Sequence, residues 1–158
     1  MQIVSTYRFA APRLRVWDLL MDTSAIAACV PGCQELAPIG ENRYRAKLAV
    51  VVAAVTGSYD ATIELADLTP PAGYTLRVDG KGRPGFVNGM TRIDLVEDGD
   101  ATRVEVRADV QVGGAVARVG QRLLEGVGRA MMDRFFSCLQ KKMEASGPGP
   151  QGSGRGQV

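Results

Sequence analysis

The chain has 158 residues, of which 46% are hydrophobic and 23% are charged, a composition typical of one globular domain with a sizeable core. This length excludes a multidomain enzyme. Nineteen Lys and Arg residues nearly balance seventeen Asp and Glu residues, without a basic block, so the charge gives no reason to expect a nucleic-acid partner. The N-terminus lacks the pattern of a signal peptide, and the longest apolar run, residues 48–55, is too short to span a bilayer, so we expect a cytoplasmic protein.

The residue types that are missing or scarce restrict the chemistry. The chain contains no histidine, which is the usual general base near neutral pH and the commonest metal ligand. Its three cysteines are an odd number, and Cys29 and Cys33 are one residue further apart than the pair of a redox Cys-X-X-Cys motif, with Cys138 far along the chain. We therefore expect buried or half-buried thiols, no disulfide framework and no bound metal.

Residues 2–32 predict a strand followed by two short helices. Residues 2–9 alternate loosely between apolar and polar side chains, as a strand does. Pro12 favours a helix start, and the residues after it form an apolar helix face of Val16, Trp17, Leu19 and Leu20. The side-chain oxygens of Asp22-Thr23-Ser24 can cap a second helix, which Pro31-Gly32 ends.

Between residues 33 and 113 the apolar residues recur with a period of two, which predicts six strands. The alternation is clearest in residues 102–112, where Val104, Val106 and Ala108 alternate with charged side chains. Short clusters of turn residues separate the runs, so each connection is predicted to be a hairpin and the sheet antiparallel. One face of this sheet is apolar and requires a cover.

Residues 115–145 contain no proline and repeat apolar side chains at helical spacing, which predicts one long amphipathic helix over the sheet. Gly120, Gly126 and Gly128 interrupt it, each at a cost of about 1 kcal/mol relative to alanine. Close packing of the helix on the sheet and preservation of a cavity both explain such glycines. The cavity explanation predicts that Gly120→Leu fills the space while it raises the helix propensity.

Six sequence motifs carry a resemblance to a known family. They are Val30-Pro31-Gly32-Cys33, Gly57-Ser-Tyr-Asp60, Gly80-Lys-Gly-Arg-Pro-Gly85, residues 102–109, Val112-Gly-Gly114 and Phe135-Phe136. In this order they resemble the carbon monoxide dehydrogenase CoxG family of the START/Bet v 1-like (SRPBCC) superfamily, over residues 1–145. The resemblance implies the α+β helix-grip fold, in which a curved seven-stranded antiparallel sheet wraps a long C-terminal helix and leaves a cavity between them.

The resemblance also implies a function. It indicates a non-catalytic accessory protein of molybdenum-containing dehydrogenases of the carbon monoxide dehydrogenase type, concerned with membrane recruitment or electron delivery. Members of the superfamily bind apolar ligands under the long helix, and a quinone or lipid would suit a dehydrogenase accessory. No cofactor is implied. The expected partners are an apolar small molecule and the dehydrogenase subunits, with peripheral contact at the inner face of the membrane.

We predict a ligand cavity between the apolar face of the sheet and the long helix. Its lining combines inward strand residues, a phenylalanine beside the glycine hairpin, methionines and helix residues. These residues are Leu48, Val50, Tyr59, Ile63, Leu76, Phe86, Met90, Val106, Ala108, Val119, Gly120, Leu123, Val127 and Met131. Arg118, Arg122 and Arg129 form either a solvated helix face or a docking surface for an acidic partner or anionic lipids.

Two other functions stay open. Some helix-grip proteins cyclise or hydrolyse bound ligands, and Tyr44, Tyr59 and Tyr74 lie on apolar strand faces where a phenol could act as an acid. Most Asp and Glu residues take the outward phase of the strands, which disfavours an enzyme. The other alternative is a structural adaptor whose own side chains fill the core.

Residues 1–146 are predicted to form the domain, and residues 147–158 a disordered tail, because this Gly- and Pro-rich segment is too poor in apolar residues to offset the entropy of ordering. A chain that ends at Ser146 should therefore keep its melting temperature and its ligand binding, as measured by thermal unfolding and titration with an apolar probe. A loss of several degrees would contradict this prediction.

Overall fold

A seven-stranded antiparallel sheet is the frame of the molecule. The computed structural model describes residues 1–51 and 55–146, so the predicted tail lies outside the described part. The strands are β1 (Gln2–Phe9), β2 (Cys33–Gly40), β3 (Arg43–Val50), β4 (Gly57–Thr69), β5 (Gly73–Gly82), β6 (Gly85–Asp98) and β7 (Ala101–Gly113). Their order across the sheet is β1-β7-β6-β5-β4-β3-β2, and every neighbouring pair is antiparallel. The predicted sheet is confirmed.

Helices lie before and after the run of hairpins. They are α1 (Arg13–Leu20), α2 (Thr23–Cys29), a 3₁₀ helix (Gly114–Val119) and α3 (Gln121–Ala145). As predicted, Asp22 caps α2, where its side chain accepts a hydrogen bond from the Ala25 backbone N–H over 3.2 Å. After α2 the chain reverses in a turn in which the Cys33 N–H donates to the Val30 carbonyl over 3.1 Å and Gly32 has a φ of +79°. The turn leads directly into β2.

Alternation along the strands gives the curved sheet one buried, concave face. In β7, Val104, Val106 and Ala108 are buried while Arg107 and Asp109 are exposed. The antiparallel pairing places inward residues of neighbouring strands opposite one another, so the other strands alternate between the same two faces. The concave face is therefore the apolar face that the sequence predicts, and α3 packs against it.

The buried side chains form two separate clusters. The larger joins α1, α2 and the C-terminal half of α3 to the sheet through Phe9, Val16, Trp17, Leu20, Tyr74, Ile93, Leu95, Val104, Phe136, Leu139 and Met143. The smaller joins the 3₁₀ helix and the start of α3 to the other end of the sheet through Val55, Tyr59, Val116 and Leu124. The domain is thus packed at both ends of its concave face.

The prediction of one continuous helix over residues 115–145 is wrong. Gly120 has a φ of +95°, which side chains rarely adopt, and it separates the 3₁₀ helix from α3. Gly120 is the N-terminal cap of α3 and not an interior position. Gly120→Leu would therefore strain the backbone instead of raising the helix propensity, so the effect expected of this substitution from the sequence is wrong as well.

The two other glycines of the helical segment have different surroundings. A Cβ atom at Gly128 would lie 2.8 Å from Cδ1 of Ile3, so the absence of a side chain lets α3 approach β1 closely. Gly126 is exposed, and a Cβ atom there would meet no atom within 4 Å. Close packing therefore explains Gly128, whereas nothing in the structure explains Gly126.

The expectation of three free thiols is also wrong. Cys29, at the end of α2, forms a disulfide with Cys138 of α3, and their Cα atoms are 5.4 Å apart. The two residues are 109 positions apart in the sequence, so spacing alone does not reveal that the end of α2 meets this face of α3. Cys33 is a free, half-buried thiol.

The surroundings of Gly126 and Gly128 predict opposite effects of substitution. Gly126→Ala should stabilise the protein by up to about 1 kcal/mol, because alanine has the higher helix propensity, and should raise the melting temperature by about 2–4 °C. Gly128→Leu should destabilise it by about 1–3 kcal/mol, because the added side chain crowds Ile3. Thermal unfolding checks both, and an equal change in the two variants would contradict the packing described above.

Candidate functional site

Between the two core clusters, the concave face of the sheet is only partly covered. Two neighbouring rows of residues lie there, and we call them the central strip: Ala46, Ala61 and Gly80 in the first row, and Ile63, Val78 and Gly89 in the second. The first row is buried but consists of the smallest residues, and the second row is half-buried although it is apolar. Because these side chains are small or absent, we interpret the central strip as a depression in the apolar face.

Larger apolar side chains border the central strip on both sides. Tyr59 and Leu48 pair across β3 and β4 and belong to the smaller cluster. On the other side, Leu65 and Leu76 pair across β4 and β5 and pack on the larger cluster. A ligand seated in the strip would thus contact hydrocarbon on three sides, which is the usual character of a small-molecule site.

The pairing register brings many of the predicted cavity residues to this face. Leu48, Val50, Tyr59, Ile63, Leu76, Val106 and Ala108 share the concave phase. Among the helical residues, Val119 and Val127 pack on the smaller cluster, and Met131 is half-buried on α3. The structure therefore places these ten residues on the concave face or on the helices near it, and their role as a ligand lining stays a prediction.

Four predicted lining residues lie elsewhere. Met90 pairs with Arg77 and Asp109 in the convex phase of the sheet and is 47% exposed. Phe86 has the same phase and is 43% exposed. Leu123 is also exposed, because the neighbouring Leu124 is the buried residue of this turn of α3. Gly120, the fourth, is the cap described above.

The floor of the depression was missed in the sequence. Ala46, Ala61 and Gly80 carry no large apolar side chain, so a search for bulky residues passes over them. The sequence nevertheless contained a signal. Ala46 is two positions from Leu48 and Ala61 is two positions from Tyr59, so each shares a strand face with its larger neighbour. Small residues at inward positions of adjacent strands indicate unfilled space as clearly as large ones indicate a core.

The phenol groups near this face remain protonated. The Tyr59 hydroxyl donates to the Val55 carbonyl over 2.7 Å, and burial raises the pKa of Tyr59. Burial also raises the pKa of Tyr74, whose ring meets the edge of Trp17 at a centroid distance of 5.6 Å. Tyr44 is half-buried. A raised pKa makes a phenol a weaker acid at neutral pH.

The predicted arginine surface is not continuous. Arg118 is on the 3₁₀ helix and Arg122 is in the first turn of α3, and both are exposed. Arg129 faces β1 instead, where its guanidinium donates to the Val4 carbonyl over 3.1 Å. Arg118 and Arg122 therefore remain together at one end of the molecule, without Arg129.

Three exposed apolar side chains, Val51, Phe86 and Leu123, lie at the same end as Arg118 and Arg122. We call these five residues the rim. The rim segments meet because the Val116 N–H donates to the Pro84 carbonyl over 2.7 Å. Val51 is 84% exposed and Leu123 is 46% exposed.

In residues 1–51 and 55–146, no helix combines the length and the hydropathy needed to cross a bilayer.

Comparison with known proteins identifies the fold. No curated protein matches the chain by sequence. A conserved protein from Geobacillus kaustophilus is 39% identical, with a TM-score of 0.90, over 92% of this chain and 97% of that chain. A START superfamily protein from Mycobacterium smegmatis is 14% identical, with a TM-score of 0.70, over 91% and 97%. The Zhui aromatase/cyclase from Streptomyces sp. R1128 is 18% identical, with a TM-score of 0.72, over 97% and 99%.

These solved structures share the seven-stranded sheet and long C-terminal helix of this chain, so its START/Bet v 1-like helix-grip fold is confirmed. The sequence profile of CoxG, a carbon monoxide dehydrogenase subunit, matches residues 6–144. Since this match covers most of the chain, the protein belongs to the carbon monoxide dehydrogenase CoxG family.

Proposed function

We propose that the protein is a non-catalytic accessory of a molybdenum-containing oxidoreductase of the carbon monoxide dehydrogenase type, and that it holds an apolar ligand, a quinone or a lipid, on its central strip. The observation that carries this proposal is the composition of the strip: the small residues Ala46, Ala61 and Gly80 in one row, and half-buried Ile63 and Val78 in the next. Membership of the CoxG family supplies the class of partner.

The energetics of the strip favour an occupant. Apolar surface left in contact with water costs roughly 25 cal/mol per Å², and the half-buried side chains of Ile63, Val78 and Leu76 leave such surface on the inner face of the domain. An apolar ligand would cover it without displacing any hydrogen bond of the sheet. A quinone ring or an acyl chain has the required chemistry.

The same face supports binding better than catalysis. The phenols of Tyr59 and Tyr74 have raised pKa values, and the Tyr59 hydroxyl already donates to the Val55 carbonyl. Within the described residues, no group of three Asp, Glu or Cys side chains converges as a metal site. The Streptomyces cyclase shares the fold at 18% identity, so a cyclase is the alternative that a test must separate.

Gly80→Leu is the substitution that tests the strip. A Cβ atom at Gly80 would lie 3.5 Å from the Val87 carbonyl oxygen and 3.8 Å from the Ala61 Cβ, both ordinary contacts. The remainder of the leucine side chain should then occupy the depression. We expect at least a tenfold loss of affinity, about 1.4 kcal/mol, for a short-chain quinone or a fluorescent fatty acid, with little change in melting temperature.

Gly126→Leu is the matched control, because it adds the same side chain to an exposed position of α3 where nothing lies within 4 Å. It should bind both probes like the wild type. If the wild type binds neither probe and Gly80→Leu is clearly destabilised, the core is filled and the adaptor alternative is correct. Conversion of a bound polyketide-type substrate by the wild type would instead favour the cyclase.

The rim supports the membrane part of the proposal. Val51, Phe86 and Leu123 are exposed aliphatic or aromatic side chains, and Arg118 and Arg122 stand beside them. Apolar groups that insert into the acyl boundary, with cations at the headgroup level, are typical of proteins that bind peripherally to anionic membranes. The rim would place this end of the domain at the bilayer, where quinones and lipids are held.

Leu123→Ser should weaken binding to vesicles of phosphatidylcholine and phosphatidylglycerol by roughly tenfold, because it removes one inserted aliphatic side chain. Leu14→Ser is the control: Leu14 is 60% exposed on α1, and α1 contacts the far end of α3, where Arg15 donates to Ser146. Co-sedimentation measures both. Equal loss in the two variants, or no vesicle binding by the wild type, would contradict a membrane role for the rim.

A further inference from the structure

A second concavity lies on the outside of the domain, away from the central strip. It is a groove of about 940 Å³ between the α2–β2 turn and the C-terminal half of α3. All three cysteines of the chain line it, namely the disulfide pair Cys29–Cys138 and the free thiol Cys33. The disulfide therefore faces a solvent-filled groove large enough for a small molecule.

The two cysteines of the disulfide differ in exposure. Cys29 is buried, with 4% of its surface exposed, whereas Cys138 is half-buried and borders the groove. In thiol–disulfide exchange a thiolate attacks one sulfur and the other departs. The greater exposure of Cys138 favours attack by an incoming thiolate at Cys138, with Cys29 as the leaving group.

The charges of the groove favour an anionic partner. Arg134, Lys141 and Lys142 line it and are exposed. The acidic residue on the same wall is Asp133, which accepts a hydrogen bond from the Tyr7 hydroxyl over 2.6 Å. The balance is cationic, and nearby cations stabilise a thiolate and attract carboxylates.

We propose that this groove is a thiol–disulfide exchange site that accepts a small thiol bearing carboxylate groups. The thiolate attacks Sγ of Cys138, a new sulfur–sulfur bond forms, and the Cys29–Cys138 bond breaks. Cys29 departs as a thiolate and takes a proton from water. A second thiol of the same class then attacks the sulfur of the bound thiol, which releases the thiol's own disulfide and leaves Cys138 reduced. Two thiols are oxidised and one protein disulfide is reduced, so the electrons balance.

Cys33 is not the point of entry. A reduced thiol cannot join a free thiol without an oxidant, and none is needed at Cys138 because the disulfide is itself the oxidant. Burial also raises the pKa of Cys33, which keeps it protonated at neutral pH. The mixed disulfide therefore forms at Cys138.

Contacts other than the disulfide also hold this half of α3. The Gln140 side chain donates to the Arg8 carbonyl over 2.8 Å. The rings of Tyr7 and Phe136 stack at a centroid distance of 4.3 Å. Opening the bond should therefore loosen the junction of α2 and α3 without unfolding the domain.

The test uses the full chain, purified without reductant, with reduced glutathione as the probe. Peptide mapping should show the Cys29–Cys138 linkage before treatment, and a single glutathione on Cys138 with free Cys29 at early times afterwards. The melting temperature should fall by several degrees. In Cys33→Ser the adduct should form on Cys138 at an unchanged rate.

A second experiment tests whether the cationic residues of the groove recognise the charge of the thiol. The double variant Lys141→Glu and Lys142→Glu should react several-fold more slowly with glutathione but at an unchanged rate with uncharged 2-mercaptoethanol. Lys47→Glu, an exposed charge reversal on β3, should leave both rates unchanged. Three free thiols in the untreated protein, an adduct on Cys29 or Cys33, or equal slowing with both thiols would overturn the proposal.

Discussion

One long helix lies over the apolar face of the seven strands, and a single helix is too narrow to cover that face. An α-helix with its side chains is about 10–12 Å wide, whereas seven strands at about 4.8 Å spacing span roughly 30 Å. The fold covers one end of the concave face with α1, α2 and the C-terminal half of α3, and the other end with the 3₁₀ helix and the start of α3. What stays between them is the central strip, where the sheet has Ala46, Ala61 and Gly80 in place of large side chains. The depression thus follows from the architecture, and the small residues deepen it.

The strands were predictable because a half-buried sheet imposes a period of two on the apolar residues of each strand, whatever the details of side-chain packing. The same rule could have placed Met90 correctly, since it is an odd number of positions from Ile93 and therefore lies on the opposite face. The tertiary contacts could not be predicted from the sequence. The break at Gly120 depends on a φ of +95°, and the bond between Cys29 and Cys138 depends on how α2 meets α3. Neither leaves a periodic trace in the sequence.

The side chains near the strip bear on the choice between binding and catalysis. Catalysis in a cavity without a metal requires a group that exchanges a proton near neutral pH. The phenols of Tyr59 and Tyr74 have raised pKa values because they are buried, and the carboxylates of β4 and β7, such as Asp60 and Asp109, are exposed in the convex phase. Among the described residues, this face combines hydrocarbon with the protonated phenols of Tyr59 and Tyr74, which favours the proposed binding of an apolar molecule over catalysis.

The two halves of α3 are held unequally, and this inequality bears on how a ligand enters. The C-terminal half has a disulfide, the Gln140 hydrogen bond and the stack of Tyr7 on Phe136. The N-terminal half begins at a glycine cap, contains the exposed Gly126 and the buried Leu124, and reaches β1 at Gly128 and through the Arg129 guanidinium. Segments with fewer buried contacts open at lower free energy, so we expect opening to start at the N-terminal half. That half borders the rim and the smaller cluster, so its displacement would open the concave face on the side that the proposed function places at a membrane. A ligand could therefore pass between bilayer and strip while the C-terminal half stays docked.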